Sequence, residues 1–144
     1  MLFGCVKKAG HRFVTALMVS TAALSASCLH SLAEDQNMTV LARASSGPLQ
    51  CEIRKSETAG TVELTGIISS SAAVAGNFRF AVMKSGASGS SNINQVNKFD
   101  LAAGKETRVG QVKINLDRNS QVVVEFSAAS NDGVECRVRA SLGH

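Results

Sequence analysis

From about residue 49 onwards, hydrophobic and polar residues alternate along the chain, a spacing that is typical of β-strands with one buried face. Turn signals such as Ala59-Gly60 separate the alternating segments, and Asn131-Asp132-Gly133 is expected to supply the positive-φ positions of a tight hairpin turn. No amphipathic helical pattern follows residue 33. The pattern predicts an all-β antiparallel sandwich or barrel of about seven strands. The alternating segments are Leu49 to Lys55, Thr61 to Ile68, Asn77 to Lys84, Asn92 to Phe99, Thr107 to Leu116, Gln121 to Ala128 and Val134 to Ala140.

The first 33 residues follow a different pattern. Basic residues up to Arg12 precede an uncharged apolar run from Phe13 to Ala26, and Ser31-Leu32-Ala33 comes next. This order is that of a secretory signal peptide, and we predict cleavage after Ala33. The run of about 14 residues is shorter than the roughly 20 that a membrane-spanning helix needs. An uncleaved membrane anchor and lipidation of Cys28 are the alternatives.

Signal cleavage leaves a short polar segment before the domain. We interpret residues 34–48 as a flexible tail, with Thr39 to Ala44 as a loosely attached first strand in the alternative, and residues 49–144 as the β-sandwich domain. Three of the 15 basic residues lie in the signal, whereas all 11 acidic residues follow it, so the mature net charge is about +1. With that charge and only four Phe as aromatic residues, nucleic-acid binding is not expected.

The cysteines predict one disulfide. Cys5 and Cys28 leave with the signal, so only Cys51 and Cys136 remain, and both fall on the inward phase of their strands. An exported protein meets an oxidising compartment, which favours a Cys51–Cys136 bond. Its loop of about 86 residues corresponds to roughly 4–5 kcal/mol in the chain-entropy model. Two free buried thiols are the alternative.

Catalytic chemistry has few candidates in this sequence. His11 and His30 lie in the signal, so the mature chain retains only the terminal His144. Neither a Ser-His-Asp or Cys-His arrangement nor a zinc site is expected from this set, and we predict no enzyme activity and no cofactor or metal. The segment from Gly86 to Ser91 lacks the Gly-Lys-Ser/Thr of a phosphate-binding loop, and we interpret it as a flexible hairpin loop.

A set of basic residues on strands or strand ends is the one feature that suggests contact with a partner. Outward charges protect exposed sheets from pairing with other chains, which is the simpler interpretation. The functional interpretation is that a charged sheet surface touches another β-rich chain without joining it. The candidate contact residues are Arg79, Lys84, Lys98, Arg108 and Lys113.

The stretch from Gly76 to Gly86, followed by Ser88 to Gln95, Phe99, Ala103-Gly104 and Gly110, resembles the CsgC/CsgH curli assembly inhibitors, with the CsgH branch closer. The resemblance implies an immunoglobulin-like β-sandwich in the periplasm. It also implies a chaperone-like, non-enzymatic role: transient binding of curli-type amyloid subunits or early oligomers, which stops their polymerisation. The Cys-x-Cys pair of the CsgC branch is missing here, which puts a redox role in doubt.

Two other functions compete with the inhibitor hypothesis. A structural or adhesin subunit of an extracellular fibre is the first, although residues 34–48 are a weak candidate for a donated strand. An enzyme or redox protein is the second, and the scarcity of His and Cys disfavours it. We expect a monomer whose partner is a curli-type subunit, with no nucleic-acid partner and no membrane partner after cleavage.

Overall fold

The structure, a computed structural model, describes residues 37–143 and is entirely β in that range. The predicted signal peptide, its predicted cleavage site and His144 lie outside the described residues. No helix among residues 37–143 is long and apolar enough to cross a membrane. The eight strands are β1 (Thr39–Ser46), β2 (Leu49–Thr58), β3 (Thr61–Ser70), β4 (Val74–Gly86), β5 (Gly89–Leu101), β6 (Lys105–Asn115), β7 (Gln121–Ser130) and β8 (Glu135–Gly143).

Two four-stranded antiparallel sheets form the sandwich. Their strand orders are β1-β2-β3-β6 and β5-β4-β7-β8, so the chain crosses between the sheets after β3, β5 and β6. The order β2-β3-β6 corresponds to strands A, B and E of an immunoglobulin domain, and β5-β4-β7-β8 corresponds to C′, C, F and G. The all-β, immunoglobulin-like sandwich is therefore confirmed, with β1 as an additional strand at the edge of the first sheet.

The core consists of the inward phase of each strand, as the alternation predicts. Phe80 of β4 and Phe126 of β7 are fully buried at its centre, with ring centroids 5.7 Å apart in an edge-to-face arrangement. Such a pair adds about 0.5–1.5 kcal/mol beyond the area it buries.

Two glycines of the opposite sheet make room for the Phe80 ring. Gly66 of β3 and Gly110 of β6 are register partners, and a Cβ atom at either position would lie within 3.0 Å of Phe80 side-chain atoms. A side chain at Gly110 would approach three Phe80 atoms that closely, including Cβ of Phe80, which cannot swing away. Gly110 therefore serves the packing of the sandwich.

The disulfide between Cys51 and Cys136 is confirmed. It joins β2 of one sheet to β8 of the other, and both residues are buried. The bond thus links the strands that correspond to A and G, whereas antibody domains link B and F.

The amino-terminal segment differs from its main interpretation. The structure has a strand at Thr39–Ser46 that pairs with β2 from Thr39↔Lys55 to Ser46↔Leu49, with a bulge between Val40 and Ala42. The part of the predicted tail from residue 39 to residue 46 is therefore an ordered strand, as the alternative anticipated. Its apolar residues Leu41, Ala42 and Ala44 are only partly buried against the core, and β1 lies at the edge of its sheet.

The turns also differ in detail from their predictions. The predicted hairpin loop from Gly86 to Ser91 is a two-residue turn at 87–88, because Gly86 and Gly89 still pair. In the hairpin before β8, only Gly133 has positive φ, at 86°, and its N–H donates to the Ser130 carbonyl at 3.0 Å. One αL glycine after a type I turn is enough to reverse the chain there.

Candidate functional site

The five candidate contact residues do not form one patch. We call the outer surface of the sheet β1-β2-β3-β6 face A, and the outer surface of the sheet β5-β4-β7-β8 face B. Arg108 and Lys113 lie on face A, and Arg79 and Lys98 lie on face B. Lys84 has the inward phase of β4 and lies at one end of the sandwich.

Lys84 is bound within the domain. Its side chain is 15% exposed, and its Nζ donates to the Asn115 carbonyl at 2.7 Å and to Asp117 Oδ2 at 2.8 Å. Ser88 Oγ also donates to the Asp117 carboxylate. The hydrogen bond from Lys84, then that from Ser88, holds the pKa of Asp117 below its usual value. This cluster ties the β4–β5 turn to the loop after β6, and it leaves the Lys84 ammonium little surface to offer to a partner.

Face A is organised around a buried carboxylate. The Glu52 side chain is 5% exposed, although it points away from the core. Arg43 Nη2 lies 2.6 Å from Glu52 Oε2, and Arg54 Nε donates to Glu52 Oε1. Arg54 also reaches the Glu106 carboxylate at 3.3 Å, which links β2 to β6 across β3. Arg43 and Arg54 thus cover an acidic group of their own sheet.

The ion-pair cluster of face A sets the protonation of its members. Burial disfavours the charged form of Glu52, but the hydrogen bonds and charges of Arg54 and Arg43 together outweigh it and lower the pKa of Glu52. The hydrogen bond to Glu52, against the effect of burial, raises the pKa of Arg54. Glu52 therefore stays ionised near neutral pH, and the cluster acts as a fixed structural element.

Lys113, also on face A, is partly engaged as well. Its side chain is 66% exposed, and its Nζ lies 3.3 Å from Glu63 Oε2 on the neighbouring strand. The same Glu63 carboxylate accepts a 2.6 Å hydrogen bond from the Gln111 side chain.

Face B presents its basic groups outward. Arg79 of β4 aligns through Ser127 of β7 with Arg137 of β8, and Lys98 lies nearby on β5. Arg79 Nε donates to Asn94 Oδ1 at 3.1 Å. Within residues 37–143, no ion pair involves Arg79 or Lys98. These two cations therefore keep their charge available at the surface.

Two further arginines of face B are missing from the candidates derived from the sequence. Arg137 is 74% exposed at its side chain and contacts Glu135 of its own strand at 2.7 Å, a hydrogen bond that raises the pKa of Arg137. Arg139 is 66% exposed and lies 3.7 Å from Glu125. Their outward phase was readable in the sequence, but the register that brings Arg137 beside Arg79 was not.

The surface between Arg79 and Arg137 forms a small depression. Its cavity volume is about 100 Å³, and Glu125 and Ser127 complete its polar lining. On the strand next to Arg79, Val96 is 65% exposed, which makes it the most exposed large apolar residue described. Face B thus combines long, exposed basic side chains with one exposed apolar residue, Val96.

Residues 37–143 hold no group of three or more His, Cys, Asp or Glu side chains that could bind a metal ion.

Comparison with known proteins assigns the family. The model of the CsgH family, described as "CsgH protein", matches residues 50–139. The chain belongs to the CsgH family. Membership implies a curli-related role. A search of the curated proteins finds no match.

Two solved structures are similar to this CsgH-family chain. The solution structure of R. palustris CsgH has 26% sequence identity and a TM-score of 0.52, and the match covers 66% of this chain and 91% of that one. The E. coli curli protein CsgC has 12% identity and a TM-score of 0.58, with coverage of 66% and 97%. The second likeness concerns the fold alone.

The family match spans β2 to most of β8 and leaves out β1. It includes both disulfide cysteines and the four basic residues of face B. Some of the residues that carry the sequence resemblance, such as Phe80 and Gly110, pack in the core, whereas the stretch from Ser88 to Asn92 is exposed.

Proposed function

We propose that this CsgH-family protein is a periplasmic, non-enzymatic inhibitor of curli-type amyloid subunit polymerisation that acts by transient binding of subunits or early oligomers. Family membership supports the curli connection. The observation that carries the proposal is the basic surface of face B, where Arg79 and Lys98 have no ion-pair partner among the described residues. An extracytoplasmic location agrees with the family and with the signal-like amino terminus.

The physical basis of inhibition lies in how amyloid grows. A fibril extends when a strand joins an exposed ladder and its side chains interdigitate with an opposing sheet. A folded domain that touches such a ladder with exposed charges opposes further addition, because burying an unpaired charge is costly. The Cys51–Cys136 bond helps to keep the inhibitor from becoming a strand donor itself.

Weak binding is sufficient when the target is rare. Exposed basic groups attract a partner over a Debye length of about 8 Å at physiological salt, so individual contacts are short-lived. If the target is an early oligomer, far fewer inhibitor molecules than subunits are needed. Inhibition below equimolar ratio is therefore expected.

A fibre-subunit role receives less support from the structure. Exchange of strands between subunits requires a segment that is not already used in its own sheet. Here residues 39–46 pair with β2 of the same chain, and the Arg43–Glu52 ion pair reinforces that pairing.

The test is a fibre-growth assay with a curli-type subunit and thioflavin-T fluorescence. The oxidised mature domain, well below equimolar ratio, should lengthen the lag phase. A folded immunoglobulin-like domain without basic face residues serves as the protein control. An unchanged lag at equal concentration would contradict the inhibitor function.

A further inference from the structure

Strand β5 differs from the other three edge strands of the sandwich. Edge strands are commonly protected from pairing by charges, prolines or bulges. β1 has Arg43 and a bulge, β6 has four charged residues and a register shift, and β8 has three charged residues. In β5, the stretch from Gly89 to Asn97 has no charge, and its pairing with β4 runs through Gly86↔Gly89 to Val74↔Leu101 without a shift.

The edge of β6, which belongs to the other sheet, is closed by a side chain of β5. Gln95 Nε2 donates to the Gln111 carbonyl at 2.9 Å, and Gln95 Oε1 accepts from the Gln111 N–H at 3.1 Å. The carboxamide thus occupies both main-chain groups of Gln111 as a paired strand would, which blocks the middle of β6. Among the described residues, no main-chain hydrogen bond joins β5 to any strand other than β4.

From this contrast we infer that the free edge of β5 between Ser90 and Val96 is a docking site for an uncharged, Asn/Gln/Ser-rich extended segment of an amyloid-forming subunit. The segment adds to the sheet β5-β4-β7-β8 as a fifth strand through main-chain hydrogen bonds, a known mode of peptide recognition. This inference rests on the proposed function and specifies where its client binds.

The chemistry of β5 favours such an occupant. Its exposed side chains in this stretch are hydroxyls and carboxamides, with Asn92 and Asn94 on face B and Val96 beside them. Carboxamide ladders between adjacent strands stabilise the stacking of Asn- and Gln-rich segments. Between Ser90 and Val96 no β5 side chain is charged, so a charged segment would gain no complementary partner there.

The decisive variant adds charge to the edge. Lysine on an edge strand hinders strand addition. Ser90→Lys with Asn92→Lys changes two exposed positions whose β4 partners are uncharged, Ser85 and Met83. The matched control, Gln121→Lys with Ser141→Lys, adds the same charge to exposed positions of face B away from β5. Circular dichroism and thermal unfolding verify that both variants fold.

The two modes of binding predict opposite results in the fibre-growth assay. If only the charge of face B mattered, both variants would lengthen the lag further. Edge docking predicts that the β5 variant loses most of the lag extension, whereas the control keeps it. If the β5 variant inhibits as well as the control, the docking site is wrong while the proposed function stands. If the wild-type domain fails to inhibit, the proposed function itself is wrong.

Hydrogen–deuterium exchange locates the contact directly. Adding monomeric curli-type subunit to the domain should slow exchange of amides between residues 90 and 96 several-fold, and not those of β1 or β8. The same measurement on the domain alone, at rising concentration, tests for a second copy of this chain at the edge. Protection of β5 without subunit, or protection elsewhere with subunit, would overturn the inference.

Discussion

The two outer faces of the sandwich carry the same formal charge but use it differently. Each has four basic and three acidic side chains. On face A, Arg43 and Arg54 enclose a Glu52 carboxylate that is only 5% exposed. On face B, the contacts of Arg137 and Arg139 involve carboxylates that are 46% and 45% exposed, and within residues 37–143 Arg79 bonds only to the Asn94 amide. Net charge therefore does not distinguish the two faces, whereas the degree to which their charges are paired within the domain does. Face A holds Arg43, Arg54, Arg108, Lys113, Glu52, Glu63 and Glu106; face B holds Arg79, Lys98, Arg137, Arg139, Asp100, Glu125 and Glu135.

The difference has a simple energetic meaning. Removing one partner of a desolvated pair leaves a charge without compensation, which is expensive. An exposed pair contributes about 0–1 kcal/mol because water and salt screen it. Face A should therefore respond to mutation through stability, and face B through binding.

The largest expected effect is on face A. Glu52→Ala should lower the free energy of unfolding by about 2 kcal/mol, because Arg43 and Arg54 lose a charged hydrogen-bond acceptor while the half-exposed Arg43 side chain regains contact with water. The matched change on face B, Glu125→Ala, should stay within about 0.5 kcal/mol. Urea denaturation of the two oxidised variants and the wild type provides the comparison. Equal losses at the two positions would remove the distinction between the faces.

The two faces should also differ in how strongly their carboxylates make stability depend on pH. The pKa of Glu52 is lower in the folded protein than its ordinary value of 4.5, so its contribution is fully present above that value. The contribution is lost as pH falls through the depressed pKa, because the unfolded chain then binds the proton more readily. In urea denaturation between pH 6 and pH 3, the Glu52→Gln variant should therefore lose less stability than the wild type does. Glu125→Gln should retain the wild-type slope, and a slope shared by all three proteins would argue against the assignment.

The sequence predicted the fold well because strand phase is a local property. Alternation placed Phe80 and Phe126 inside and gave Cys51 and Cys136 the same inward phase, which the sandwich and the disulfide require. It could not place Arg79 beside Arg137, because strand register depends on pairing between distant segments. Nor could it separate Lys113 from Arg79, because an outward phase does not state which of two sheets a strand joins. Nor does the outward phase of Glu52 reveal its burial, which comes from Arg43 on the neighbouring strand and Arg54 on its own strand.

Charge-reversal variants of the two faces should differ in their effect on inhibition. Arg79→Glu should remove a large part of the lag extension in the fibre-growth assay while it changes stability by no more than about 0.5 kcal/mol. Lys113→Glu, the matched reversal on face A, should leave the lag extension in place, although it faces Glu63 and loses a pair worth about 0–1 kcal/mol. If Lys113→Glu weakened inhibition more than Arg79→Glu, face A would be the contact surface.

Salt should produce the smallest and most graded effect. The Debye length falls from about 10 Å at 0.1 M to about 3 Å at 1 M ionic strength, which weakens attraction between exposed charges. The lag extension caused by the wild-type domain should therefore shrink as sodium chloride rises, relative to the subunit alone at each concentration. The Glu52 carboxylate is largely removed from water, so the wild-type minus Glu52→Ala difference in unfolding free energy should change less with salt than the lag extension does. A docked β5 edge would preserve part of the lag extension at high salt, since main-chain hydrogen bonds are not screened. If salt removed the difference in unfolding free energy between the wild type and Glu52→Ala but left the lag extension unchanged, the roles of the two faces would be reversed.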